Sequence, residues 1–192
     1  MKISFGRRSG VYYQFSNFFS RKVVYKNITY GNTEAPFQAM KSLDAEVHKE
    51  FANLSGGQAK KKGRSINLRS DWEDVKFNVM CDVLMAKFTQ NEDLKELLLG
   101  TGDALLVENT TGWHDNNWGC CNCSRCQGKM SKNMLGMALM RVRSNISGLP
   151  CTARFTLDGK EFVLDFDSED YKNLISTYEG RVTMSNIFRF SK

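Results

Sequence analysis

Glu34, Gln38 and Lys41 stand at i, i+4 and i+7. On a helix that spacing makes one face. A carboxylate, an amide and an amine in one row can bind and transform a polar ligand. The carboxylate can move a proton, the amide can orient hydroxyls, and a desolvated amine can attack a carbonyl carbon. The same row also fits a solvated face with a mild Glu–Lys attraction. The segment follows a turn, Tyr30-Gly31-Asn32. Asn32 or Thr33 can cap a helix there, and Pro36 is tolerated in its first turn. The pattern predicts a helix from about Thr33 to Phe51, broken by Gly56-Gly57.

The elements that must position this row follow from the rest of the chain. Its 192 residues are 41% hydrophobic and 11% aromatic, enough for a real core of one domain plus an appendage. No apolar run approaches the about 20 residues that span a bilayer. The N-terminus, Met1-Lys2-Ile3-Ser4-Phe5, has no apolar signal region, so the expected compartment is the cytoplasm and no membrane partner is expected. A net charge of +6 favours anionic partners such as phosphates, nucleotides or nucleic acid.

Ile3–Phe5, Phe15–Phe19, Val23–Tyr25 and Ile28–Tyr30 read as short strands, with Lys26-Asn27 turning a hairpin. Asp71 can cap a helix from Trp72 to Phe88, whose apolar stripe is Trp72, Val75, Val79, Val83 and Ala86. Asn91 opens a helix from Glu92 to Leu99 that Gly100 ends. Residues 101–130 read as a long loop region rich in Gly, Asn, Trp and Cys, a kind of segment that often presents site residues. Ser131 opens a last core helix from Lys132 to about Ile146. Beyond Gly148-Leu149-Pro150 the pattern changes. Arg154–Leu157 and Glu161–Phe166 flank Asp158-Gly159 as a hairpin, and Asp167-Ser168 caps a helix ending at Gly180. The fold class is therefore predominantly α with short peripheral strands, residues 1–148, plus a ββα appendage, residues 149–192.

Two clusters stand out. Lys60-Lys61-Lys62 reads as a solvated helix end, whereas Gly63-Arg64 can approach and grip a phosphate. Cys120, Cys121, Cys123 and Cys126 are bunched in one loop, with His114 near. Free thiols or loop packing are the preferred reading, so no cofactor is expected; a structural zinc on these four cysteines is the alternative.

In order along the chain, a set of motifs resembles the NADAR family, also called YbiA-like N-glycosidases. They are Phe15-Ser16-Asn17-Phe18, Thr33-Glu34, Gln38-Ala39-Met40-Lys41, Gly63-Arg64, Trp72 with Val75-Lys76, and Lys87-Phe88 with Gln90-Asn91. Leu97-Leu98, Thr101-Gly102, Glu108, Asp115-Asn116-Asn117-Trp118-Gly119, Asn133 with Leu135-Gly136, and Leu139-Met140 with Val142-Arg143 complete the set. Many short motifs in the right order are far more specific than one. They span roughly residues 3–146.

The resemblance implies a mostly helical domain that hydrolyses C1′–N bonds of ribosides. It implies Lys41 as the amine that forms a Schiff base with ring-opened ribose, Glu34 as the acidic residue at the helix start, and Asp115 as the aspartate before the Trp-Gly pair. Asn17, Gln38, Gly63, Arg64, Trp72, Trp118, Gly119 and Asn133 become candidate substrate contacts. Two departures are visible: Ala35 replaces a usual histidine, and the loop after Trp118 is rich in cysteine rather than glycine. The expected substrate is ADP-ribose on a guanine base in nucleic acid. The alternatives are a small phosphoribosylamino metabolite of the riboflavin pathway, or silent binding of ADP-ribose.

Overall fold

The computed structural model describes residues 1–6, 10–157 and 159–168. In chain order its elements are β1 (Lys2–Phe5), β2 (Val23–Tyr25), β3 (Ile28–Tyr30), α1 (Glu34–Ala39), α2 (Ala45–Lys49), α3 (Gly56–Lys62), α4 (Trp72–Thr89) and α5 (Glu92–Leu99). There follow β4 (Leu105–Glu108), α6 (Met134–Ser147), β5 (Thr152–Leu157) and β6 (Lys160–Asp165). They sort into two compact units: Gln14–Leu98, and Met1–Tyr13 together with the chain from Leu99 onward. Helix dominates the first. The second is built on strand pairs and α6, so the architecture is mixed α/β rather than simply helical. No helix among the described residues is long and apolar enough to cross a membrane.

In the unit Gln14–Leu98, β2 and β3 pair antiparallel, Val23 opposite Tyr30 and Tyr25 opposite Ile28. Lys26 and Asn27 turn the hairpin with φ of 49° and 63°, both positive, as a tight two-residue turn requires. The Gln90 amide bonds both the N–H and the carbonyl of Val24, at 2.7 and 2.8 Å, and so stands in for a third strand.

The expected helix from Thr33 to Phe51 is two helices. The turn ends at Met40, and Asp44 takes an extended conformation and accepts from the Glu46 N–H at 2.9 Å, which starts α2. Gly56-Gly57 does not end a helix but opens α3, because Ser55 and Gln58 form a reciprocal capping box. Phe15–Phe19 is not a strand, since a short 3-10 turn runs from Val11 to Phe15. Asp71 does not cap α4 with its side chain; Arg69 holds that carboxylate by two hydrogen bonds.

The buried stripe of α4 is also displaced from the expected one. Met80, Val83, Leu84, Lys87 and Phe88 face inward, at i, i+3, i+4, i+7 and i+8, while Val75, Val79 and Ala86 are only half-buried. Lys87 is 1% exposed and donates to the Ser16 carbonyl at 3.0 Å. Burial pushes its pKa down to about 7. Between that value and the ordinary lysine range, the unfolded chain holds a proton that the native chain lacks. Stability should therefore rise with pH from about 7 upward, by up to about 1.4 kcal/mol per pH unit. Lys87→Met should flatten that slope, read as the difference between variant and parent in urea unfolding at successive pH values.

In the other unit, β1 and β4 pair in parallel, Lys2 opposite Leu105 and Phe5 opposite Glu108. β4 lies inside the stretch expected to be loop. Leu105, Leu106 and Val107 are all fully buried, as strands covered on both faces are. Helix α6 packs on β4 so closely that a Cβ on Gly136 would fall 2.2 Å from the Leu106 carbonyl oxygen.

β5 and β6 form the expected hairpin, with Phe155 and Phe162 stacked at 5.6 Å and Gly159 at φ 75°. Asp158 and the expected helix ending at Gly180 lie outside the described residues. The hairpin is stitched into its unit. The Met1 amino group donates to the Arg154 carbonyl at 2.8 Å, and the Arg154 N–H donates to that of Asp103 at 2.7 Å. Buried Arg143 donates to Thr101, Ala104 and Thr152, and Ala153, Phe155 and Leu164 are buried.

Candidate active site

The row that opened the sequence is built around α1. The Asn32 side chain, rather than that of Thr33, caps the helix, accepting from the Ala35 N–H at 2.9 Å. Asn17 pins the same end. Its carbonyl accepts from the Glu34 N–H at 3.1 Å and its side-chain oxygen accepts from the Thr33 hydroxyl at 3.0 Å. Asn17 is buried, with its amide turned to the Met80 sulfur, so its hydrogen-bonding groups serve the helix start.

Glu34 and Gln38 are each 5% exposed, and the Gln38 amide donates to the Glu34 carboxylate at 2.9 Å. The Gln38 Oε1 is buried and has no hydrogen-bond partner among the described residues. An acceptor left in this state costs free energy that an incoming donor would recover. Gly63 makes room for it, because a Cβ there would lie 2.0 Å from that oxygen.

Lys41 lies just past the end of α1, half-buried. Its Nζ donates to the Gly63 carbonyl at 3.1 Å and sits 5.9 Å from the centre of the Trp72 ring. Trp72 is itself buried against Phe37, their ring centres 5.2 Å apart. Burial lowers the Lys41 pKa; the Glu34 carboxylate works against this, and the positive charges of Lys60 and Arg64 reinforce it. The result is an amine easier to deprotonate than an ordinary lysine, beside a buried carboxylate. Around it, Arg64 is exposed, Lys60 lies over the Phe18 ring, and Lys62 pairs with Glu50. Gly63 serves Gln38 and Lys41 here, through its missing side chain and its carbonyl.

Asp115, Trp118, Gly119 and Asn133 belong to the other unit, on a loop docked against the start of α6. The Asp115 carboxylate accepts from the N–H groups of Asn117 and Trp118, both at 2.9 Å. Trp118 is half-buried, and its carbonyl accepts from the Leu135 N–H at 2.9 Å. Gly119 must be glycine: a Cβ there would fall 2.3 Å from Thr110 and 2.7 Å from the Glu108 carbonyl. Asn133, fully buried at φ 48°, accepts from the Glu108 N–H at 3.0 Å and donates to the Leu106 carbonyl at 2.8 Å. Its amide thus ties α6 to β4.

The cluster that the cysteine loop forms differs from the four cysteines of the zinc alternative. His114, Cys121, Cys123 and Cys126 converge, with their ligand atoms all within 4.8 Å of one another. Cys120 is not among them. Its backbone is committed to both Glu108 and Thr110, and its buried thiol turns toward Asn122. His114 takes its place because a positive φ of 61° folds the ring back over the loop.

Known proteins resemble this chain over most of its length. The NADAR domain family matches residues 4–147. The N-glycosidase YbiA of Escherichia coli is 38% identical over 148 residues, 76% of this chain and 88% of that protein. The chloroplastic riboflavin biosynthesis protein PYRR of Arabidopsis thaliana is 41% identical over 81 residues, 42% of this chain and 12% of that protein. The NMR structure of Escherichia coli YbiA superposes with a TM-score of 0.66 at 38% identity, covering 77% of this chain and 87% of that one.

Proposed function

Because this chain belongs to the NADAR family and is an N-glycosidase, we propose that it removes ADP-ribose from guanine bases of nucleic acid through a Schiff base on Lys41. The observation that carries the reading is the Lys41 amine itself. It is half-buried on Trp72, held by the Gly63 carbonyl, lowered in pKa by burial, and set beside the buried Glu34 carboxylate.

A ribose C1′ bonded to nitrogen and ring oxygen is an aminal. When an acid protonates the ring oxygen, the C1′–O bond breaks and the nitrogen lone pair forms a C1′=N iminium. The neutral Lys41 amine adds to C1′. A proton passes to the base nitrogen, the C1′–N bond breaks, and the base leaves as an amine. Water then adds to the lysine iminium, and collapse releases the sugar aldehyde and restores the amine. Glu34 carries protons in these steps and Gln38 offers its buried oxygen to a sugar hydroxyl; activating water or steadying positive charge at C1′ is the role that the family resemblance implies for Asp115. Trp72 backs the Lys41 amine, the half-buried Trp118 is a candidate stacking surface, and Gly119 and Asn133 hold the Trp118 loop against α6. Asn17 fixes the start of α1.

Cations near the amine favour a phosphate-bearing substrate. Lys60 and Arg64 are close enough to Lys41 to lower its pKa, and the chain as a whole carries +6. A polymeric substrate adds counterion release, so binding should weaken steeply with salt, and Lys60→Ala with Lys61→Ala should reduce that slope. The cytoplasm suits such a substrate. The likeness to a riboflavin biosynthesis protein favours a second reading, a phosphoribosylamino pyrimidine.

The test offers guanine-ADP-ribosylated DNA, a small ADP-ribosyl nucleoside and a phosphoribosylamino pyrimidine to the same preparation. Free base and free sugar are measured. Fastest release from the ADP-ribosylated guanine supports the first reading. Turnover of the pyrimidine alone sinks it in favour of the second.

A further inference from the structure

The glycosidase chemistry leaves the sulfur-rich end of segment 114–126 without a task. We propose that His114 Nδ1 and the thiolates of Cys121, Cys123 and Cys126 form a structural zinc site that clamps the loop bearing Asp115 and Trp118-Gly119. Their separations fit one ion. The His114 Nδ1 lies 3.4, 3.2 and 3.8 Å from the three sulfurs in turn, and Cys121 and Cys123 are 3.3 Å apart. A tetrahedron with Zn–S of about 2.3 Å and Zn–N of about 2.0–2.1 Å has edges of roughly 3.5–3.8 Å. Disulfide bonding does not explain the convergence, since bonded sulfurs stand only about 2.05 Å apart.

The backbone is shaped to the same end. Thr110 accepts from the N–H groups of both Trp113 and His114, at 3.1 and 3.0 Å, and this holds His114 in its left-handed turn. A non-glycine residue persists there only when its surroundings over-determine it. The Cys126 N–H donates to the Cys123 carbonyl at 3.0 Å, which gives Cys123-Ser124-Arg125-Cys126 the tight turn of a two-ligand knuckle. The Cys121 N–H is held by Asn116 at 3.1 Å. Coordination through Nδ1 leaves the ring proton on Nε2, so the exposed Arg125 guanidinium, which lies against Nε2, swings into solvent when the ion binds.

Three soft thiolates and one imidazole select zinc over magnesium or calcium. Four protein ligands also leave no open position, so the ion holds structure and activates no water. It ties the Asp115 end of the segment to its far end at Cys126. The proposal does not rest on the substrate, because its readouts are the ion and its geometry.

The full chain, purified under reductant and reloaded with zinc, should carry about one zinc ion per chain by elemental analysis. Loaded with cobalt(II), it should show the intense visible absorption of a tetrahedral thiolate site. Cys123→Ser and His114→Ala should each weaken binding by about 100-fold or more, while Cys120→Ser and Cys151→Ser bind as the parent does. A ligand variant can fail to fold, so the cobalt spectrum and stoichiometry of the unaltered protein decide on their own. An octahedral spectrum overturns the site, as does less than about a tenth of an ion per chain. So does a loss in Cys120→Ser equal to that in Cys123→Ser, or a disulfide among Cys121, Cys123 and Cys126 in reduced protein that binds no ion.

Discussion

Lys41→Ala should lower turnover on the order of 10³-fold or more while the protein stays folded. The side chain is only half-buried and holds one backbone carbonyl, so its loss costs the fold little. The chemistry loses its nucleophile. Borohydride added during turnover should trap a sugar adduct on Lys41 in the parent and none in the variant. The pH profile adds a signature. A neutral amine is the reactive form, so the rate should rise with pH through a value below the ordinary lysine range, as burial dictates. Lys60 and Arg64 push the same pKa down, so Lys60→Ala with Arg64→Ala should carry that limb to higher pH. Near-normal turnover by Lys41→Ala would end the Schiff-base reading.

Gly63→Ala should be almost as damaging, by a different route. The added methyl has no room, since the Gln38 oxygen would stand 2.0 Å from it and the Gln38 Cδ 2.8 Å. Either Gln38 leaves Glu34 or α3 moves, and with α3 goes the carbonyl that steadies Lys41. A shift of about 1 Å in such a row costs on the order of 10²-fold in rate. Overpacking a buried position costs about 1–3 kcal/mol of stability. Steady-state kinetics and urea unfolding of this single variant read both effects. A variant with parental kcat and stability would show that the contact is dispensable.

The Lys26-Asn27 turn and the span of α5 follow from local chemistry, and both were legible. Turn residues that accept positive φ, and a glycine just past a helix end, act over a few neighbours. The row Glu34, Gln38 and Lys41 was read as one helical face. Its helix, however, ends at Met40, and the cue was present in Asp44, which caps α2. The capping box of Ser55 and Gln58 was likewise written in the chain but masked by two glycines that normally break helices. β4 was harder. Leu105, Leu106 and Val107 are apolar in succession, which is the mark of a strand buried on both faces and carries no alternation to read. His114 is the clearest limit. Sequence spacing grouped Cys120 with the other three cysteines, as the zinc alternative to free thiols, and only the left-handed turn at His114 and the backbone pairing of Cys120 with Glu108 and Thr110 bring His114 rather than Cys120 into the cluster. Those are long-range facts of loop geometry.

The unit that contains Lys41 is continuous in the chain, from Gln14 to Leu98, whereas the other joins Met1–Tyr13 to residues that come after Leu98. Translation therefore treats the two differently. The whole Lys41 unit, Gln14 to Leu98, is synthesised while the first strand, with Ile3 and Phe5, still has no β4 to pair with. That strand waits for β4, about a hundred residues later, and for the hairpin whose Arg154 carbonyl holds the starting amine. Until then it is an unpaired apolar edge of the kind chaperones hold and aggregates recruit. A chain stalled before residue 105 would hold the residues of the Lys41 unit and a β1 that still lacks β4.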